Sequence, residues 1–277
     1  MVKENNSLDN SLKLLVKTSF IVLISIVISK ILGYVFRIII ARYYGPEAYG
    51  LYSLAFSITL FFIAISGFGF AEGLVRFIPG LIAKKKDDEI RYLFWKTIKF
   101  CLITGIIGAT IQIGLSTFIS VRLFHNSNLS ILIKIMGLSI PPLLFLAIFL
   151  AVLRGFEKIG SYSFIYNIFQ NIARIGFLLL FIFLGFRYRT DVIVWSFVLG
   201  SISTFFVSYI ICRYQIKERF GNYKNKNYSN LKKEFFNYSL PIMFYSTLSF
   251  IFYAIDSLSL GYYKSAIEVG LYNTADL

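Results

Sequence analysis

Asn167, Gln170, Asn171 and Arg174 recur at steps of three and four within an apolar stretch of Ile, Phe and Leu, so one helix face carries four polar groups. Such a face lines either a hydrated cavity or a helix contact held by hydrogen bonds. An unpaired guanidinium is untenable in hydrocarbon, which favours the cavity for Arg174. Lys30 and Arg37 lie seven residues apart, with Gly33 and Tyr34 between them, on nearly one face of another apolar segment. They form either a cationic stripe along a cavity, or an Arg37 that snorkels outward with a Lys30 bonded to a neighbouring helix. The chemistry on offer is fixed positive charge and amide hydrogen bonding. His125 is the sole histidine, and Cys101 and Cys212 fall in apolar runs without metal-ligand spacing, so no metal site, His-based catalysis or cofactor is expected.

Three further features surround these residues. Asp256 is the only acid of its apolar run and either pairs with a cation elsewhere in the bundle or binds a coupling H⁺ or Na⁺. Glu72 and Arg76 are spaced for an ion pair within one helix. The nearby Gly67-x-Gly69-x-x-x-Gly73 does not match a dinucleotide loop and instead allows close helix approach or a local break. Pro79 is expected to end that helix, and Pro141-Pro142 and Pro241 to bend theirs. Trp95, Lys96, Lys99 and Lys134 read as anchors at the membrane boundary.

The elements that position these groups follow from composition. With 57% hydrophobic and 18% aromatic residues over 277 positions, the chain is too apolar for a water-soluble domain. Apolar runs at 18–41, 51–79, 93–120, 129–153, 162–186, 191–212 and 236–262 are each long enough to cross ~30 Å of hydrocarbon as helices. Alternate connections hold the basic residues: Lys3, Lys13 and Lys17; Lys84, Lys85, Lys86 and Arg91; Arg154 and Lys158; and Arg213, Lys217, Arg219, Lys224, Lys226, Lys232 and Lys233. The intervening connections hold only Arg42, Arg122, Arg187, Arg189 and Lys264, which predicts a cytoplasmic amino terminus in a multi-pass protein of the inner (cytoplasmic) membrane. The net charge of +14 is then a topology signal and an attraction for membrane lipids, and no nucleic-acid module accompanies it. The first run carries Lys30 and lacks a small-residue cleavage pattern, which argues against a removable signal peptide.

The segment Tyr49-Gly50-Leu51-Tyr52-Ser53-Leu54-Ala55 returns as Val269-Gly270-Leu271-Tyr272-Asn273-Thr274-Ala275, each copy after a long apolar run, at an offset of 220 residues. At the same offset Ser19 meets Ser239, Ala41 meets Gly261 and Tyr43 meets Tyr263, as an internal duplication requires. The expected architecture is an all-α polytopic membrane bundle with one six-helix lobe and the first helix of a second, repeat-related lobe. Its parts are a cytoplasmic lead-in at 1–17, a first lobe at 18–212, a basic cytoplasmic linker at 213–235, and the opening of an incomplete second lobe at 236–277.

The stretches Ser29-Lys30-Ile31-Leu32-Gly33-Tyr34-Val35-Phe36-Arg37 and Ala41-Arg42-Tyr43-Tyr44-Gly45-Pro46-Glu47-Ala48-Tyr49-Gly50-Leu51-Tyr52 resemble the first helix and first external turn of polysaccharide transporters. These are the O-antigen flippase type within the multidrug/oligosaccharidyl-lipid/polysaccharide exporter superfamily. Leu240-Pro241, Asp256 and Glu268-Val269-Gly270-Leu271-Tyr272-Asn273 are similar to the opening of that family's second lobe. The resemblance implies two lobes around a central cavity that opens to either side in turn. It further implies movement of a lipid-linked oligosaccharide to the outer leaflet without nucleotide hydrolysis. Arg37 matches the family's basic position before the Gly-Pro turn, whereas Lys30 and Arg174 rest on helical spacing alone. An anionic lipid diphosphate needs counter-charge to leave water, which Arg174, Arg37 and Lys30 would supply, with Asn167, Gln170 and Asn171 beside them. The departure from the family's pattern is the absent remainder of the second lobe. One alternative is cation-coupled drug efflux, which needs acids in the first lobe's cavity, where only Glu72 is available. Another is a membrane-embedded glycosyltransferase or polymerase, which needs an acidic pair; Asp87-Asp88-Glu89 beside Lys84–Lys86 reads more simply as a solvated turn.

Overall fold

A backbone crossing lipid must satisfy its hydrogen bonds internally, and each apolar run becomes a helix in the computed structural model. The structure describes residues 2–186, 189–216 and 228–275, with backbone alone for 2–15 and 275. In chain order the helices are α1 (Val2–Ser66), α2 (Phe70–Ala83), α3 (Asp87–Phe118), α4 (Asn128–Gly137), α5 (Ile140–Gly155), α6 (Ile159–Ser163), α7 (Gln170–Phe183), α8 (Asp191–Gln215), α9 (Ser229–Tyr263) and α10 (Ala266–Ala275). A π-helical turn at Ile119–Leu123 extends α3, and a second at Phe164–Phe169 joins α6 to α7. No strand occurs among the described residues, and the chain is an all-α multi-pass membrane protein.

Five described helical runs are long and apolar enough to span a bilayer, or six when α4 and α5, bent by 42° between them, count as one broken span. The sequence separates seven runs because its first two are continuous here: Val16–Ser66 is one helical run with a reversal at Gly45. Gly45 adopts φ 82°, ψ 170°, a conformation that suits a residue without a Cβ, and Pro46 opens the next helical arm. A straight helix would separate Phe36 from Tyr52 by roughly 24 Å, yet their ring centroids are 5.8 Å apart, so the two arms fold back on each other.

The prolines act in three different ways. Pro141 and Pro142 sit in the first turn of α5, where a missing N–H costs little, and the bend falls just before them. Pro241 lies inside α9, which stays helical from Ser229 to Tyr263. Pro79 does not end its helix, because α2 continues to Ala83; the break in that segment comes earlier, where Phe68 and Gly69 take φ of 49° and 65°.

The connections gather at two ends. Lys84 and Lys86 share a groove with residues 228–231, residues 155–158 share another with 214–216, and Ile159 lies beside Thr18 and Ser19. At the far end, Phe124 faces Gly261, and His125 packs edge-on to Tyr262 at 6.0 Å. Alternation of charge in the sequence therefore corresponds to a basic end and an opposite end of the bundle. The side chains of Lys3 and Lys13, the residues Arg187, Lys217, Arg219, Lys224 and Lys226, and the middle of the 213–235 linker lie outside the described residues. Two apolar cores fill the interior. One, toward the basic end, is built on α2, α3, α5 and the end of α8, and the other joins α1, α4, α7, α8 and Val269 of α10.

Candidate functional site

The polar face of α7 and its π-helical lead-in meets α1 in a short ladder. Asn167 donates to Ser25 Oγ at 2.9 Å, and one turn on Asn171 donates to Ser29 Oγ at 3.0 Å and to its own helix at the Asn167 carbonyl. Gln170 is buried beside them. This part of the face forms a helix contact held by hydrogen bonds, and Asn167 and Gln170 do not line the cavity beyond it. The π-helical turn shifts the register of the face just where Asn167 must reach α1.

At Arg174 the face opens. The guanidinium carbon lies 4.3 Å from the ring centroid of Phe197 on α8, in cation–π geometry. Phe197 itself packs edge-on against Phe56 and Tyr52 at 5.3 and 6.4 Å. Close approach of α8 depends on Gly200, since a Cβ there would stand 2.8 Å from Arg174 Cγ. Arg174 makes no ion pair among the described residues, and its Nε makes no hydrogen bond.

Arg174, Asn171 and Arg37 line one cavity of about 180 Å³ with Asp256. Arg37 donates to the Asn273 carbonyl at 3.2 Å, and Asp256 accepts from the Tyr272 hydroxyl at 3.1 Å. Ser257 donates to the Asn273 side-chain carbonyl at 3.0 Å. Lys30 is exposed, two turns of α1 nearer the basic end than Arg37, and does not line this cavity. The structure thus brings together Arg37, Asn171, Arg174 and Asp256 and leaves Lys30, Asn167 and Gln170 outside.

The lining also obeys the 220-residue offset. Gly33 and Tyr253, Phe36 and Asp256, Arg37 and Ser257, Tyr52 and Tyr272, and Ser53 and Asn273 all face the same space, each pair related by that offset. Just beyond, a Cβ on Gly50 would collide with the Ala266 carbonyl, and one on Gly270 with the Pro46 carbonyl. Pro46 and Ala266 are again equivalent positions, so the contact is reciprocal in the manner of a two-fold interface. In the sequence, Tyr52, Tyr272, Ser53 and Asn273 stand out only as members of the repeat or of the stretches that resemble the transporter family. Their place in the cavity could have been sought by asking which polar residues the offset pairs.

The expected Glu72–Arg76 ion pair is not formed. Glu72 accepts from Arg154 Nη1 of α5 at 3.1 Å, and Arg76 lies over the Tyr238 ring of α9, 4.3 Å from its centroid. A pair within one helix is worth only about 0.2–0.5 kcal/mol, so neighbours supplied by α5 and α9 displace it. At the start of α3, Lys86 pairs with Glu89 at 2.7 Å and Arg91 with Asp88 at 3.5 Å. Cys101 and Cys212 are buried free thiols in the core.

No curated protein and no solved structure matches the chain. The family model described as polysaccharide biosynthesis protein matches residues 15–276, nearly the whole chain and including every residue of the cavity. The chain belongs to the polysaccharide biosynthesis protein family.

Proposed function

We propose that the protein is a flippase that carries a lipid-linked oligosaccharide from the cytoplasmic to the outer leaflet of the cell membrane by alternating access, without a chemical step. The observation that carries this proposal is Arg174, a cation deep in the bundle, at a cavity lined from both copies of the repeat and with no carboxylate paired to it among the described residues. A guanidinium so placed is a ready partner for a phosphate. At about 180 Å³ the cavity is smaller than a typical ligand pocket of roughly 300–1,000 Å³. It admits an anionic head group, and the glycan and lipid enter only when the bundle opens.

In this mechanism Arg174 and Arg37 hold the head group, Asn171 adds an amide donor, and Lys30 stands on the approach from the basic, cytoplasmic end. Asp256, held by Tyr272 beside the same cavity, competes for the two arginines when cargo leaves or takes up a coupling H⁺ or Na⁺. The first six spans form one lobe, and α9 and α10 open its repeat-related partner. The reciprocal Gly50–Gly270 contact supports that division. Drug efflux is disfavoured because Glu72 is engaged by Arg154. A glycosyltransferase is disfavoured because Asp88 and Glu89 at the start of α3 are tied into local ion pairs.

The test is export of glycan by cells carrying Arg174→Ala with Arg37→Ala, with membrane abundance measured alongside. The expected result is loss of export with the protein retained in the membrane. Normal export by the double variant overturns the assignment.

A further inference from the structure

The geometry points to a second site, on the flank of the bundle at its basic end, that binds an anionic phospholipid between α3 and α9. A groove of about 640 Å³ there is lined by Lys96 and Lys99 of α3 and by Lys232 and Lys233 of α9. No acid lines it, and none of the four lysines makes an ion pair among the described residues. Glu234, next in sequence to Lys233, lines a different groove with Arg76 and Lys84. Four lysines lining one groove concentrate positive charge there, which a bound anion would offset.

Below the lysines the groove becomes apolar. Phe70, Phe100 and Phe235 form its floor, with Phe70 stacked on Phe235 at 5.3 Å and edge-on to Phe100 at 5.0 Å. Ile103 continues this surface one turn further from the basic end and is exposed. Charge at the membrane boundary and an apolar track leading inward match a lipid with an anionic head group and an acyl chain. An independent feature points to a ligand: Thr97 lines the groove, is 2% exposed, and its Oγ1 makes no hydrogen bond among the described residues. A phosphodiester oxygen at the head of the groove would satisfy it. Sequence alone marks Lys96 and Lys99 as general interface anchors; what the fold adds is the pairing with Lys232 and Lys233, more than 130 residues away. This site is separate from the Arg174 cavity, shares no residue with it, and its test does not depend on export.

The experiment is native mass spectrometry of the purified protein after exchange with phosphatidylglycerol, with phosphatidylcholine of the same chains, and with inorganic phosphate. Near a membrane surface each lysine contributes about fivefold in affinity. Replacing Lys96, Lys99, Lys232 and Lys233 by Gln should therefore lower phosphatidylglycerol retention by at least about tenfold. Replacing Lys84, Lys85, Lys158 and Arg213 by Gln removes the same charge outside the groove and should leave retention unchanged. Ile103→Trp, which blocks the apolar track with every lysine intact, should also release the lipid, and it decides the matter if the lysine variant does not fold. Equal losses in the two charge variants, equal retention of phosphatidylcholine, or displacement by millimolar inorganic phosphate would each overturn the proposal, the last by making it a free-anion site.

Discussion

In the first copy of the repeat, Phe36 and Tyr52 meet as two aromatic rings 5.8 Å apart. In the second copy the equivalent positions, Asp256 and Tyr272, meet as a carboxylate and a phenol at 3.1 Å. The backbones around them remain matched, since Gly50 and Gly270 each approach the other copy's first helical turn. The neighbouring pair diverges in the same sense: Arg37 in the first copy is a serine, Ser257, in the second. Close backbone packing thus keeps the scaffold of the two copies alike, while the cavity they share receives its cations from the first copy and α7 and its carboxylate from the second. An anionic group entering that cavity would meet the arginines on one side and the carboxylate on the other.

The sharpest way to break this comparison is at the two glycines. Gly50→Leu drives a side chain into the backbone of α10, where no rotamer relieves it, and should cost at least about 3 kcal/mol of stability, read from thermal unfolding in detergent. Gly270→Leu should cost a similar amount; a mild effect from either one would show that the contact is not reciprocal. A subtler variant is Asp256→Phe, which gives the second copy the first copy's ring. Folding stability should stay within about 1 kcal/mol, while export falls about tenfold, because the acidic partner of the cavity is gone. Unchanged export would mean that the chemical divergence of the copies serves packing only. The smallest effect is expected at the α1–α7 ladder. Asn167→Ala removes one hydrogen bond outside the cavity and should cost about 1 kcal/mol of stability with export intact. Loss of export there would extend the functional face about two turns beyond Arg174.

Residue types on the α7 face were legible in advance, but the division of that face was not. Asn167 and Arg174 share a helical stripe, yet Asn167 is spent on Ser25, whereas Arg174 faces a cavity left between α1, α9 and α10. A stripe specifies which side chains point together, and the neighbouring helix decides which of them remain available. Glu72 and Arg76 carry the same lesson with the opposite sign, since a favourable local spacing was overridden by Arg154 and Tyr238 on flanking helices. The bend near Pro141 was legible because proline acts on its own backbone, whereas Pro79 and Pro241 were absorbed within continuous helices.

What the sequence determined by itself was membrane residence, the all-helical class, the gathering of basic connections at one end, and the repeat that brackets the cavity. These follow from local physics: a run of apolar residues long enough to span the bilayer must close its hydrogen bonds as a helix, wherever its neighbours lie. Tertiary structure alone decided that Arg37, Asn171, Arg174 and Asp256 converge while Lys30 does not, and that four lysines from α3 and α9 face one groove. Competing side-chain pairings differ by a few tenths of a kcal/mol within a helix, so the choice among them belongs to whichever helix packs close enough to supply a better partner.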